Sequence, residues 1–115
     1  MKTDNGIKKK EFYRSVASGN CCDLKRVNDV FKALSDETRQ KILLLLSQNG
    51  LFVNEISEIL ATPQSSISHH LFILKSAGLV VNERKGKMII YRMKPDSICS
   101  CCDDYFKYFR QKNNG

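Results

Sequence analysis

The chain has 115 residues, enough for one domain with a modest core. Nineteen Lys and Arg stand against twelve Asp and Glu, a formal net charge of +7 that favours a polyanionic partner without specifying a fold. The longest apolar run, Ile42 to Leu46, has five residues, so no membrane span is expected, and the polar start Met1-Lys-Thr-Asp-Asn5 lacks a secretory signal, which points to a cytoplasmic protein.

Residues 1–20 read as a polar, basic N-terminal tail, with Lys8-Lys9-Lys10 ahead of Phe12 and Tyr13. A short helix would fit there, but disorder at the very end is expected. Leu24, Val27, Phe31 and Leu34, spaced three, four and three, predict a helix over about Asp23–Leu34. Ser35 suits the cap of a second helix, whose first turn carries Asp36 and Glu37 at the positive end of its dipole. That helix continues through Ile42–Leu46 and stops at Asn49-Gly50. Its unbroken apolar run leaves little room for a wet face, so it is expected at the centre of the core. Asn54 suits the cap of a short third helix ending at Leu60, with Ile56, Ile59 and Leu60 turned inward. Ala61-Thr62-Pro63 is then a tight turn. Thr62 can cap the next helix, Pro63 suits its first position, and Gly78 suits the position just past its end.

This fourth helix buries Ile67, Leu71 and Leu74, and turns Ser65, Ser68 and His69 to the other side, with Gln64 at its leading end. The outward row is short, hydrogen-bonding and free of acids. A major groove admits such a face, because base edges need donors and acceptors and phosphates repel carboxylates. Standing alone, it would equally be a solvated helix face. Two short helices joined by about three residues, the second bearing this face, form a helix-turn-helix, and that setting favours double-stranded DNA.

Beyond Gly78, Leu79–Arg84 and Met88–Met93 are rich in β-branched and aromatic residues and flank Lys85-Gly86-Lys87, a hairpin turn. Arg84, Lys85, Lys87 and Arg92 lie in or beside the hairpin against Glu83 alone. A basic hairpin after a helix-turn-helix is a wing, suited to phosphates or a narrow minor groove. A last helix is expected from Asp96 to about Gln111, with Ile98, Cys102, Tyr105, Phe106 and Phe109 on one stripe. The helix-turn-helix and wing already close a unit, so this stripe is surplus and suits a partner subunit, with packing inside the chain as the alternative. The expected class is mainly α with a β-hairpin wing: a winged helix-turn-helix, α-α-α-α-β-β-α, forming a homodimer. Residues 21–112 would make up its DNA-binding and dimerisation domain.

Three ordered stretches resemble the ArsR/SmtB family of metal-sensing repressors: Phe31-Lys-Ala-Leu-Ser-Asp-Glu-Thr-Arg-Gln-Lys-Ile-Leu43, Gln64 to Val80, and Arg84-Lys-Gly-Lys-Met-Ile-Ile-Tyr-Arg92. The similarity runs from about Val27 to Met93. It implies a winged-helix homodimer, built through the first and last helices, that leaves a palindromic operator when an inducer binds. Within that pattern Gln64, Ser65, Ser68 and His69 would read bases, and Arg84, Lys85 and Lys87 would hold phosphates. Phe72 departs from the pattern, which usually has a basic or polar residue there; packing on the DNA backbone and on a thymine methyl both stay open. Arsenical and cadmium sensors of the family often carry Cys-Val-Cys where this chain has Phe52-Val53-Asn54, so that site is absent. Zinc sensors place His beside Asp on the last helix; here Asp103 and Asp104 have no His with them, so that site is not expected either. His70 reads as a packing or hydrogen-bonding histidine.

All five cysteines lie outside the DNA-reading unit: Cys21 and Cys22 before the first long helix, and Cys99, Cys101 and Cys102 at the start of the last. At about 100° per residue, Cys99 and Cys102 are about 60° apart and Cys101 lies about 100° from Cys102. Three thiolates converge only if that turn loosens, or if Cys21 or Cys22 completes the set. An all-sulfur set without imidazole selects soft acceptors: As(III) or Sb(III) first, with Hg, Cd, Pb or Cu(I) as alternatives. A thiol-based redox or persulfide sensor on the same scaffold is the other reading. Cys99-Ser-Cys-Cys102 is formally Cys-x-x-Cys, but the chain lacks the βαβ context of a thiol oxidoreductase. No catalytic constellation is visible, and no enzyme is expected.

Overall fold

The computed structural model describes the backbone of residues 6–94 and 97–112, and the side chains of residues 9–94 and 102–110. Over these residues the order is α1 (Gly6–Ser18), α2 (Leu24–Ala33), α3 (Glu37–Leu46), β1 (Leu51–Phe52), α4 (Val53–Leu60), α5 (Gln64–Ser76), β2 (Val80–Lys85), β3 (Met88–Met93) and α6 (Ser97–Lys112). The strands form one antiparallel sheet in the order β1-β3-β2. The expected start of the last helix at Asp96 lies outside the described residues.

The core forms where the stripes of four helices meet the root of the hairpin. Val27, Val30 and Ala33 of α2, Ile42, Leu43 and Leu46 of α3, Ile56 of α4, and Ile67, Leu71 and Leu74 of α5 are buried with Leu79 and Val80. Three expected inward positions differ. Within the apolar run of α3, Leu44 points away from Ile42 and Leu43 and is 69% exposed. Five apolar residues span more than one turn, so one must leave the buried side. Ile59 is likewise exposed, and Phe31 lies at the edge of the stripe of α2, which centres on Val27 and Val30.

Helix starts were misplaced by one or two residues. Asp36 rather than Ser35 caps α3: its extended backbone lets the carboxylate accept from the Arg39 amide at 3.1 Å. The Ser35 hydroxyl is already used, donating to the Lys32 carbonyl at the end of α2. Asn54 lies inside α4, which begins straight out of β1, and Glu55 Oε1 accepts from the Phe52 amide at 2.8 Å. Pro63 takes the cap position of α5 without a side-chain bond, while the Thr62 hydroxyl turns back to the Leu60 carbonyl. The short β1 was not anticipated, because a two-residue strand carries no periodicity.

Residues 6–18 form the short helix that the polar tail was expected to accommodate; the very end of the chain, residues 1–5, lies outside the described residues. The Phe12 ring of this helix lies 5.3 Å from that of Tyr108 on α6, an anchor 96 residues away that local sequence cannot reveal. Among the described residues no helix is long and apolar enough to cross a membrane.

Candidate nucleic-acid interface and thiol positions

The outward face of α5 is as expected. Gln64, Ser65, Ser68 and His69 are all exposed, and the helix contains no acid. Gly78 ends it with φ +79, a conformation that glycine adopts without the Cβ clash. Gln64 and Ser68 also line an open cleft of about 380 Å³ with Phe52 and Asn54 on one wall and Lys87 and Met88 of the wing on the other. The recognition helix and the wing tip therefore share one concave, acid-free surface, as a duplex backbone beside a groove requires.

What holds α5 in place was not foreseen. His70, half-buried on its inner side, receives a hydrogen bond on Nδ1 from Arg39 Nη1 at 3.1 Å. The same guanidinium donates from Nε to the Ala33 carbonyl at 2.6 Å and from Nη2 to the Lys32 carbonyl at 3.4 Å. Asp36 Oδ2 lies 3.8 Å from His70 Nδ1, but a guanidinium can only donate. Nδ1 therefore carries the lone pair in this arrangement, and the carboxylate contact is not an ion pair. Asp36 itself is held below its ordinary value of 3.8, chiefly by the Arg39 amide, with the Arg39 charge adding to this against some desolvation. The expected hydrogen-bonding role of His70 is met. Its partner, Arg39, lies in the family-like stretch Phe31–Leu43, but nothing local marks it as an anchor.

The wing differs from the even basic cluster expected of Arg84, Lys85 and Lys87. Lys85 ends β2 opposite Met88, leaving Gly86 and Lys87 as the turn. Gly86 has φ +64 and Lys87 does not share that conformation, the pattern of a type II′ turn. Directly paired residues share a face, so Val81, Glu83, Lys85 and Arg92 lie on one side and Val80, Asn82, Arg84 and Tyr91 on the other. Glu83 approaches Lys85 Nζ at 3.6 Å and Arg92 Nε at 3.5 Å, while Arg84 Nη1 donates to the Gly86 carbonyl at 3.4 Å. Lys87, at the tip, lies on the cleft.

The described thiols fall into two places. Cys102 is 8% exposed within the core cluster, while Cys21 and Cys22 are half-buried between α1 and α2 with their sulfurs 3.8 Å apart. The Tyr108 hydroxyl donates to the Cys21 carbonyl at 2.8 Å, tying that segment to α6. Cys102 lies six residues before Tyr108, about 9 Å along the helix axis. Among the described residues no three of His, Cys, Asp or Glu converge on a metal-sized site. The side chains of Cys99, Cys101 and Ile98 lie outside the described residues. The backbone there is helical from Ser97 onward.

Residues 36–81 match the model of bacterial regulatory proteins of the arsR family. The chain is 46% identical over 67 residues to the transcriptional repressor SdpR of Bacillus subtilis, covering 58% of this chain and 74% of that protein. It is 41% identical over 68 residues to the arsenic resistance transcriptional regulator ArsR1 of Pseudomonas putida, covering 58% of this chain and about half (53%) of that one. A homodimeric winged helix-turn-helix DNA-binding domain from Mycobacterium bovis superposes with a TM-score of 0.63 at 29% identity, over 80% of this chain and 86% of that domain. These relatives are regulators, not enzymes. With the exposed, acid-free helix and the hairpin beside it, they make this chain a winged helix-turn-helix transcriptional regulator of the arsR family.

Proposed function

We propose that the chain is a homodimeric repressor that leaves its operator when As(III) or Sb(III) binds thiolates of Cys99, Cys101 and Cys102, with Cys21 or Cys22 as substitute ligands. Gln64, Ser65, Ser68 and His69 read base edges, and Arg84, Lys85 and Lys87 hold phosphates. The observation that carries the switch is the position of Cys102, buried in the core cluster on the helix that packs against α2. On a regular helix the three thiols point in different directions, so binding one pyramidal centre requires the first turn of α6 to unwind. Arsenous acid would exchange each hydroxyl for a sulfur and release one water per thiol. Drawing Cys102 toward the others would take it out of the core and shift α6 against α2. An all-sulfur donor set suits this soft acceptor, and a relative is named for arsenic resistance.

Dimerisation through the first expected helix, here α2, and the last, α6, with α1 added beside them, is supported by apolar surface that one copy leaves open. Tyr13 and Val16 of α1 and Phe109 of α6 are exposed, and Phe109 stacks within the cluster of Phe31, Tyr105 and Phe106. A related domain is itself homodimeric. A shift of α6 at such an interface would change the spacing of the two recognition helices, about 34–36 Å in a dimer on successive major grooves.

The close pair Cys21–Cys22 supports a second reading, in which oxidation of thiols is the signal. Release from a labelled operator by arsenite, antimonite, mercury, cadmium, lead and peroxide in parallel, with thiols otherwise reduced, separates the two. Release by arsenite and antimonite at the lowest concentrations is expected. Release by peroxide alone would replace the metalloid reading with the redox one.

A further inference from the structure

The outward face of α5 is polar except at one position. Phe72 is 67% exposed, although it lies between the buried Leu71 and the half-buried Ile73. At about 100° per residue it stands about 20° from Ser65, three residues after His69 and four after Ser68. It is therefore near the middle of the face assigned to base reading. Ser65 and Ser68 are short, so the ring projects beyond them. The groove beside it, between α2 and α5, is lined by Asp29, Lys32, Ala33, Ile73, Ser76 and Ala77, and even beside these the ring stays mostly open to solvent. Its occupant must therefore come from outside and be compatible with a helix that carries no acid, next to a basic wing.

We propose that Phe72 is a specificity residue whose ring packs on the 5-methyl group of a thymine in each operator half-site. The ring has no donor for a phosphate oxygen and no acceptor for a base amine. The thymine methyl is the apolar group that a major groove presents, and Phe is a side chain suited to it. This inference rests on α5 entering the major groove as proposed above.

The test uses the duplex that the wild-type protein enriches from a random-sequence library, with affinity read by fluorescence anisotropy. Each thymine of one half-site is replaced in turn by deoxyuridine, which removes only the methyl. Wild-type protein should lose about three- to five-fold at one position, the scale of one buried methyl. Phe72→Ala should bind the unmodified duplex more weakly and be indifferent to the methyl at that position, while Phe72→Leu keeps part of the discrimination. Because the ring is exposed, both variants should melt like the wild type. Indifference of the wild type to every thymine methyl overturns the proposal, as does an equal loss by Phe72→Ala at each position. Failure to enrich any duplex overturns the DNA-reading assignment of α5, and this inference with it.

Discussion

Arg39 joins three helices: its side chain closes the carbonyl end of α2 at Lys32 and Ala33, holds His70 on α5, and springs from the first turn of α3. This guanidinium ties α5 to α2 and α3 through partners up to 31 residues away, which is why sequence spacing did not expose it. The outward side of the same helix was legible, because burial of Ile67, Leu71 and Leu74 fixes what faces water. Ser68→Ala and His69→Ala should each cost about 1–3 kcal/mol on the operator and little on random duplex; equal losses on both would remove these residues from base reading. Asp36 supplies a pH signature. Its carboxyl titrates below 3.8 in the folded protein, so its charge stabilises the fold fully above that value and the contribution is lost as pH falls through the lowered one. Asp36→Asn, which keeps an acceptor at the cap, should melt below the wild type at neutral pH, and the gap should close in strong acid. A gap unchanged with pH would mean that the Asp36 charge has no part in the cap.

At the scale of elements, the hairpin shows how a strand pattern can be read correctly and its chemistry only in part. Both strands and the glycine turn were legible from β-branched runs around Gly86. The distribution of charge was not, because register decides which residues share a face. Glu83 restrains Lys85 and Arg92 on the outer side, whereas Lys87 stands at the tip over the cleft with Gln64 and Ser68. Lys87→Ala should therefore lower the slope of log affinity against log salt by about 1, and Lys85→Ala should lower it less. Glu83→Gln should tighten binding to all sequences, since it removes a charge that repels phosphate and releases two cations. Unchanged affinity in Glu83→Gln would mean that the outer face of the hairpin does not approach DNA.

The whole molecule is elongated, 59 × 25 × 22 Å with a radius of gyration of 18.5 Å, against about 13 Å for a compact domain of this length. The excess fits the terminal helices, α1 and α6, which carry exposed aromatics; Cys102 lies on α6, and Cys21 and Cys22 lie between α1 and α2. The aromatic stripe of α6 was legible, but its cover was only partly so: Cys102 and Tyr105 pack on the core of their own chain, while Phe109 stays exposed. The docking of α1 on α6 was not legible, because it runs through Phe12 and Tyr108, far apart in sequence. In the proposed switch the signal input and the subunit contact would share α6, and the coupling needed for release, about 1–3 kcal/mol, is modest beside the core contacts that moving Cys102 would disturb. The most direct measurement is arsenite titration of the operator complex formed by Cys102→Ser, read by fluorescence anisotropy beside the wild type and a Cys21→Ser/Cys22→Ser double variant. Cys102→Ser should bind the operator with wild-type affinity and stay bound at arsenite concentrations that release the wild type, while the double variant still responds. Full release of Cys102→Ser, or loss of the response in the double variant alone, would contradict a switch seated on α6.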